Sequence, residues 1–351
     1  MLDQNPHSSL HNTSDASEKS KIEAFALELA DLEKRFRAQG AFKPAAAFGL
    51  KVTAVLLSLF TLALGLLSLD ASWAYFTGAL LLGFYYVQVG WFSHDIAHGQ
   101  ILHGKGLRTS LLWAVFAQGL SAKWWIMTHN NEHHAAPNAF RKSADAIHIL
   151  DSDIDSMPYI CWDRSLLTAG QKNSPLIAAW LKIQRLTVWP LLSIIRLYWS
   201  GRSLIVGTAK EKVLVIAHYV TLTALALAVS GLQLLPVLTW IMIANLFGGL
   251  LIGFFSLVSH AGKEIYNIDH CTNEAEMVVK STRNLTDSPL IFWLSGGLNF
   301  QIEHHLYPSL PRPHFVAISK EVQKIYRKYD QPYEVVSLSR GLQLFYKALA
   351  I

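Results

Sequence analysis

The stretch "WAYFTGALLLGFYYVQVGWFSHDIAH" runs from Trp73 to His98. Its leading part, Trp73–Phe92, is apolar and reaches the length of roughly 20 residues that a bilayer core of about 30 Å requires. It then runs straight into His94 and His98, an i, i+4 pair that shares one helix face. A helix that crosses a membrane and delivers paired imidazoles to its surface predicts an integral membrane fold with a metal site at one face.

Working outward, 52% of the 351 residues are hydrophobic, 16% are charged and the mean hydropathy is +0.27, too oily for an ordinary soluble domain. Three further windows have spanning length: Leu50–Leu69, Val213–Gly231 and Leu234–Ser259. The last also ends on a histidine, His260. The turns Asp70–Ser72 and Leu232–Gln233 contain no Lys or Arg, so the remaining segments, which carry nearly all the basic residues, are expected on the cytoplasmic side. The expected fold is an all-α integral membrane protein: four transmembrane helices at about 50–69, 73–92, 213–231 and 234–259, under a cytoplasmic helical cap.

Residues 1–20, rich in Ser, Asn, His and Asp, read as a disordered tail without a secretory signal. Residues 21–43 follow as an amphipathic cytoplasmic helix with one stripe, Ile22, Phe25, Leu29, Leu32 and Phe36, expected to dock on the chain's own cap; residues 44–351 form the membrane domain. Two short apolar pieces, "LRTSLLWAVFAQGLSAKWW" and "LTVWPLLSIIRLYW", are expected as re-entrant or interfacial segments, with Trp91, Trp124 and Trp125 as interfacial anchors or, in the alternative reading, as walls of an acyl tunnel. The charge of +5 suits loops facing anionic headgroups, and no nucleic acid is expected. Cys161 and Cys271 both fall in cytoplasmic segments and suggest no disulfide framework.

Eight of the fifteen histidines fall in four clusters. They are His94 and His98 in "HDIAH", His129, His133 and His134 in "HNNEHH", His304 and His305 in "QIEHH", and His260. Single histidines are usually surface or hydrogen-bonded groups, but four clusters meeting at one membrane face point to metal ligation. Eight imidazoles exceed one ion's capacity, so two metals are implied, and thiolates are absent from the clusters. Asp95, Glu132, Asn130, Asn131 and Glu303 lie inside the motifs, where carboxylates and amides orient imidazole ligands.

At these motifs the chain resembles the membrane-bound fatty acid desaturase family; the order of the three boxes and "NFQIEHHLYPSLPRPHF" are similar to the front-end (Δ5/Δ6-like) branch. The resemblance implies that His94, His98, His129, His133, His134, His260, His304 and His305 ligate two iron ions, with O2 as co-substrate and a fatty acyl substrate desaturated to a cis olefin. Some members hold an iron-bound water with an Asn one turn before the residue matching His260, and Ser256 stands at that position here. Gln301 is expected as a neighbour of the ligands or as a holder of water. No HPGG motif occurs, so the electrons are expected from a separate donor, ferredoxin or free cytochrome b5, docking near Arg141, Lys142, Lys172, Lys182 and Arg185. The same scaffold could serve a hydroxylase or acetylenase. A histidine-rich metal carrier is the remote alternative, and the lack of charges in spans one, three and four beyond Lys51 argues against it.

Overall fold

A computed structural model of the chain describes residues 7–143 and 146–350, with side chains from residue 19 onward. The element order is α1 (His7–Ala38), α2 (Ala46–Leu67), α3 (Ser72–Ala97) and α4 (Gly104–Gln118), then α5 (Ala122–Trp125), which passes into a π-helical stretch, Ile126–His133. After α6 (Ala169–Lys172) come three long helices, α7 (Pro175–Val206), α8 (Ala209–Ser230) and α9 (Leu234–Leu257). The C-terminal part holds α10 (Glu274–Ser281), α11 (Pro289–Leu294), α12 (Gln301–Leu306), α13 (Phe315–Lys328) and α14 (Leu338–Ala348). The all-α expectation is corrected by two small sheets. In one, β1 (Ala139–Lys142) pairs antiparallel with β2 (Ile147–Ile149) and parallel with β3 (Tyr266–Asn267); in the other, β4 (Asn284–Leu285) runs parallel to β5 (Val335–Val336). Strands of two to four residues leave almost no alternation to read.

Among the described residues, α2, α8 and α9 are long and apolar enough to cross a membrane. The window 73–92 lies in α3, the helix that α2 and α9 pack against. Its tyrosines, glycines and Gln88 make α3 less oily, and it is buried almost continuously from Leu82 to Ile96. Gly83 and Gly248 let α3 and α9 touch: a Cβ on Gly83 would lie 2.7 Å from the Ala244 carbonyl oxygen, and one on Gly248 would lie 2.8 Å from that of Gly83. The window 213–231 starts earlier, at Ala209, because Thr208 and Glu211 form a capping box ahead of the apolar run.

The expected short segment "LTVWPLLSIIRLYW" is instead the middle of the 32-residue α7. Its buried stripe, which includes Gln184, Val188, Leu192, Arg196 and Ser200, recurs every three to four residues. Polar members on that stripe hide it from any test for apolar periodicity.

The stripe of α1 docks on the chain itself. Ile22, Phe25, Leu29 and Leu32 are buried against α10 and α13, and Phe36 packs at the edge. Phe25 meets Tyr326 edge-on at 5.0 Å between ring centres. Residues 7–20 of the expected tail are helical, since extending a formed helix costs little compared with nucleating one; residues 1–6 lie outside the described residues. Phe25→Ala is expected to cost about 3–5 kcal/mol, read as a lower unfolding midpoint in detergent. An unchanged midpoint would mean the stripe adds nothing to the fold.

Candidate metal centre

Each histidine cluster is placed by the end of an element. His94 lies in the last turn of α3 and His98 caps it, so their rings stack edge-on 4.6 Å apart. His304 and His305 lie in α12, which begins at Gln301 and is stopped by Tyr307 and Pro308. His260 sits in the turn after α9.

The second cluster depends on the π winding. The His134 amide donates to the His129 carbonyl at 3.0 Å, an i→i+5 bond, so these two residues stand one wide turn apart and their Nε2 atoms approach to 3.2 Å. An α-helix would pair His129 with His133 instead. The structure thus sorts the ring nitrogens into two separate sets of potential donors, His94, His98, His129, His134 and His304 in one and His133, His260 and His305 in the other, while His129, His133 and Asp153 form a third group that bridges them; the atoms of each group lie within 4.8 Å of one another.

These donors fit a pair of transition-metal ions. The Nε2 atoms of His94 and His304 face each other at 3.0 Å, and His98 Nε2, His134 Nδ1, His304 Nδ1 and His305 Nε2 are buried without a hydrogen-bond partner. Orphaned polar nitrogens are rare in cores, and all-imidazole sets suit iron, copper, nickel or zinc.

The far sides of two rings are held. His260 Nδ1 donates to the Ser281 carbonyl at 3.0 Å, and His133 Nδ1 bonds Asp151 Oδ1 at 3.0 Å with Asp153 Oδ2 3.5 Å away. Asp151 is itself fixed by the amides of Asn138 (2.7 Å) and Asp153 (2.9 Å). Burial pulls the His133 pKa down, but the Asp151 and Asp153 carboxylates outweigh it and carry it up to about 9. A cation on the opposite nitrogen would compete for the same carboxylate field.

Other motif residues have partners the sequence did not suggest. Asp95 stands 3.8 Å from His94 but pairs chiefly with Arg312, whose Nε donates to Asp95 Oδ2 at 2.7 Å and whose Nη2 also reaches that oxygen. Glu303 faces away from the imidazoles and accepts from Asn284 Nδ2 (2.8 Å) and the Tyr333 hydroxyl (2.7 Å). Burial lifts its pKa to about 7 against those two hydrogen bonds. Asn130 donates to the Ala97 carbonyl and lies 3.5 Å from His98 Nδ1, while Asn131 is exposed and Glu132 half-buried. Gln301 Nε2 lies 2.8 Å from His260 Nε2, and its Oε1 is buried without a partner.

A cavity of about 480 Å³ opens from the histidines and is lined mainly by apolar side chains of α7, α9 and the 152–162 loop. Ser256 lines this cavity. Trp91 and Trp125 line it as well, which favours the cavity-wall reading of these two residues over interfacial anchoring. Trp91 is 2% exposed, its Nε1 donates to the Leu294 carbonyl at 2.9 Å, and a Cβ on Gly296 would lie 2.3 Å from its ring. Trp125 lies 4.9 Å from the His129 ring, and Trp124 is buried against Trp199. Sequence reasoning missed Asp151, Asp153 and Arg312; the acidic run "DSDIDS" in an otherwise basic segment was the available signal for the first two.

Three helices of spanning length beside a buried cluster of histidines that is compatible with a metal centre define the class as a membrane protein. A family model described as fatty acid desaturase matches residues 71–337, and the chain belongs to that family. It is 33% identical over 290 residues to an acyl-lipid (9-3)-desaturase of Physcomitrium patens, a match covering 79% of this chain and 53% of that protein. It is also similar to the delta(6)-fatty-acid desaturase fat-3 of Caenorhabditis elegans, 31% identical over 355 residues, 93% of this chain and 74% of the relative. A delta(8)-fatty-acid desaturase of Euglena gracilis is 28% identical over 295 residues, 79% and 67%. The chain therefore spans about half the length of the Physcomitrium relative.

Proposed function

We propose that this protein desaturates fatty acyl chains of membrane lipids, with two iron ions held by His94, His98, His129, His133, His134, His260, His304 and His305. The observation that carries the reading is the mainly apolar cavity whose lining includes His94, His129 and His133, members of the two imidazole groups. A volume of about 480 Å³ is in the range usual for small-molecule sites. Bound as a pair, iron supplies the oxidising power toward unactivated C–H bonds that no side chain has. Overall, one CH2–CH2 unit gives up two hydrogens, and these together with O2, two electrons and two protons leave as two waters.

The chain's own residues do the rest. His133 and His260 are held in register by Asp151 and the Ser281 carbonyl, which fixes the nitrogen each presents. Trp91 and Trp125 line the cavity beside His94 and His129, and by limiting how far an acyl chain can enter they would select which methylene is presented for oxidation, and so the double-bond position. In this reading α2, α3, α8 and α9 all cross the bilayer, and the cationic side carries the metal centre and the C-terminal cap. The turns at 68–71 and 231–233 contain no Lys or Arg, which supports that orientation.

The cavity walls favour a lipid-linked chain. Among the described residues that line it are Asp153 and Asp155 but no Lys or Arg, a poor match to the phosphates of a coenzyme A thioester. Ile194 and Tyr198 line it while remaining 46% and 60% exposed, on a face of α7 that also exposes Leu186 and Ile205. That face opens the cavity sideways to lipid. The Physcomitrium relative's name carries the same carrier class.

The electron donor, ferredoxin or a cytochrome b5 type protein, would dock on the basic side. Arg141 already pairs with Asp269 at 3.1 Å, Lys172 donates to the Ser165 carbonyl and Arg185 to that of Tyr346, which leaves Lys142 and Lys182 as the main attraction for an acidic donor.

The test offers the purified protein, with donor and O2, one acyl chain in two forms: phospholipid in nanodiscs and coenzyme A thioester. A cis olefin formed from the phospholipid is expected. Product from the thioester alone would overturn the carrier assignment, and a hydroxylated product would move the protein to the hydroxylase reading.

A further inference from the structure

Arg196 is a full charge at 0% exposure in the middle of α7, and among the described residues its hydrogen-bond partners are an amide and a backbone carbonyl rather than a carboxylate. Such a group is costly in a membrane protein and by default has a task. Its surroundings name the task. Arg196 Nη2 donates to the Gln118 carbonyl at 2.7 Å, its guanidinium lies 3.9 Å over the Tyr86 ring, and Nε reaches Asn245 Oδ1 at 3.4 Å. Gln118 is the last residue of α4, and Gly119 caps that helix with φ +70°.

The end of α4 is buried inside the helix bundle, where its last carbonyls have no water to bond. Each finds a side chain from another helix. His218 of α8 donates to the Phe116 carbonyl (2.8 Å), Tyr85 of α3 to Ala117 (3.0 Å), Arg196 to Gln118 and Ser200 of α7 to Gly119 (3.2 Å). Arg196 is the one full charge of this set, and the negative end of the α4 dipole gives it the compensation a carboxylate would otherwise supply. The grip continues along the chain: the Ser121 amide donates to Ser203 Oγ at 2.9 Å and the Lys123 amide to Glu211 Oε1 at 2.9 Å. Six residues after Lys123 comes His129, the start of the π-helical cluster that serves both donor groups.

We propose that Arg196 is a positioning residue for the metal centre: by fixing the buried end of α4 to α3, α7 and α8, it sets the depth and rotation of the segment that presents His129, His133 and His134. The inference rests on the two-metal reading of the site. It explains why a bundle of apolar helices keeps a charge, and why that charge sits on a helix that supplies no donor itself.

The test compares wild type, Arg196→Met and Arg196→Lys, purified in detergent, stripped with chelator and titrated with cobalt(II), with the d–d spectrum as readout. Wild type should take up two ions. In Arg196→Met, at unchanged helical circular dichroism, the weaker binding step should lose about 10- to 100-fold in affinity, with altered d–d bands, and Arg196→Lys should recover most of it. Folded Arg196→Met with wild-type affinities and spectrum would overturn the proposal. Should Arg196→Met not fold, Ser200→Ala with Ser203→Ala is expected to give a smaller shift in the same direction, and unchanged binding there would equally overturn it. A wild-type protein that binds fewer than two ions would instead defeat the two-metal reading itself.

Discussion

His304→Ala should abolish desaturation and reduce bound metal below two ions per chain, while the protein still inserts in membranes with its helix content intact. His304 is fully buried at the point where the three boxes meet, its ring centre 4.5 Å from that of His94, 4.6 Å from His134 and 5.0 Å from His98. Removing it takes away the ring nitrogen that faces His94 Nε2 at 3.0 Å. Groups that merely orient ligands cost about 10- to 100-fold in metal affinity when mutated, so loss of a donor should cost at least the upper end of that range. His133→Ala should have the same outcome by a second route, because it also strands Asp151, which is 0% exposed, without the imidazole it is bonded to. Metal content by mass spectrometry and product formation from phospholipid are the measurements. Full activity in either variant would remove that residue from the donor set.

The parts of this architecture that were legible in the sequence are those written in local periodicity. The helix that ends on the i, i+4 pair His94 and His98 can be read directly, and so can the docking stripe from Ile22 to Phe36. The π winding of Ile126–His133 could not be read, because it changes which histidines face each other without changing the sequence spacing. The length of α7 was hidden by its own function as inferred above, since Gln184, Arg196 and Ser200 break the apolar stripe where the helix grips its neighbours. Asp151 was missed for a different reason. It reaches His133 from a loop eighteen residues away, and no local rule connects the two.

The Asp95–Arg312 pair is the clearest case of such a distant link, and breaking it should cost both stability and bound metal. The two residues are 217 apart in sequence, 2% and 5% exposed, and join the last turn of α3 to the segment that follows α12. Gln100 adds a second tie by donating to the Pro308 carbonyl at 2.8 Å. Together these bonds lock the first histidine box to the third, which supports the approach of His94 to His304. Removing one partner of a buried ion pair leaves the other charge without compensation and costs about 3–5 kcal/mol, so Arg312→Met should lower the unfolding midpoint sharply and shed metal. Asp95→Asn should cost less, because an amide oxygen can still accept from the guanidinium. The double variant buries neither charge, and its loss of stability should fall short of the sum of the two single losses by at least about 1 kcal/mol. Additive losses would mean that Asp95 and Arg312 act separately, and the link between the first and third boxes would then rest on Gln100 and the imidazoles alone.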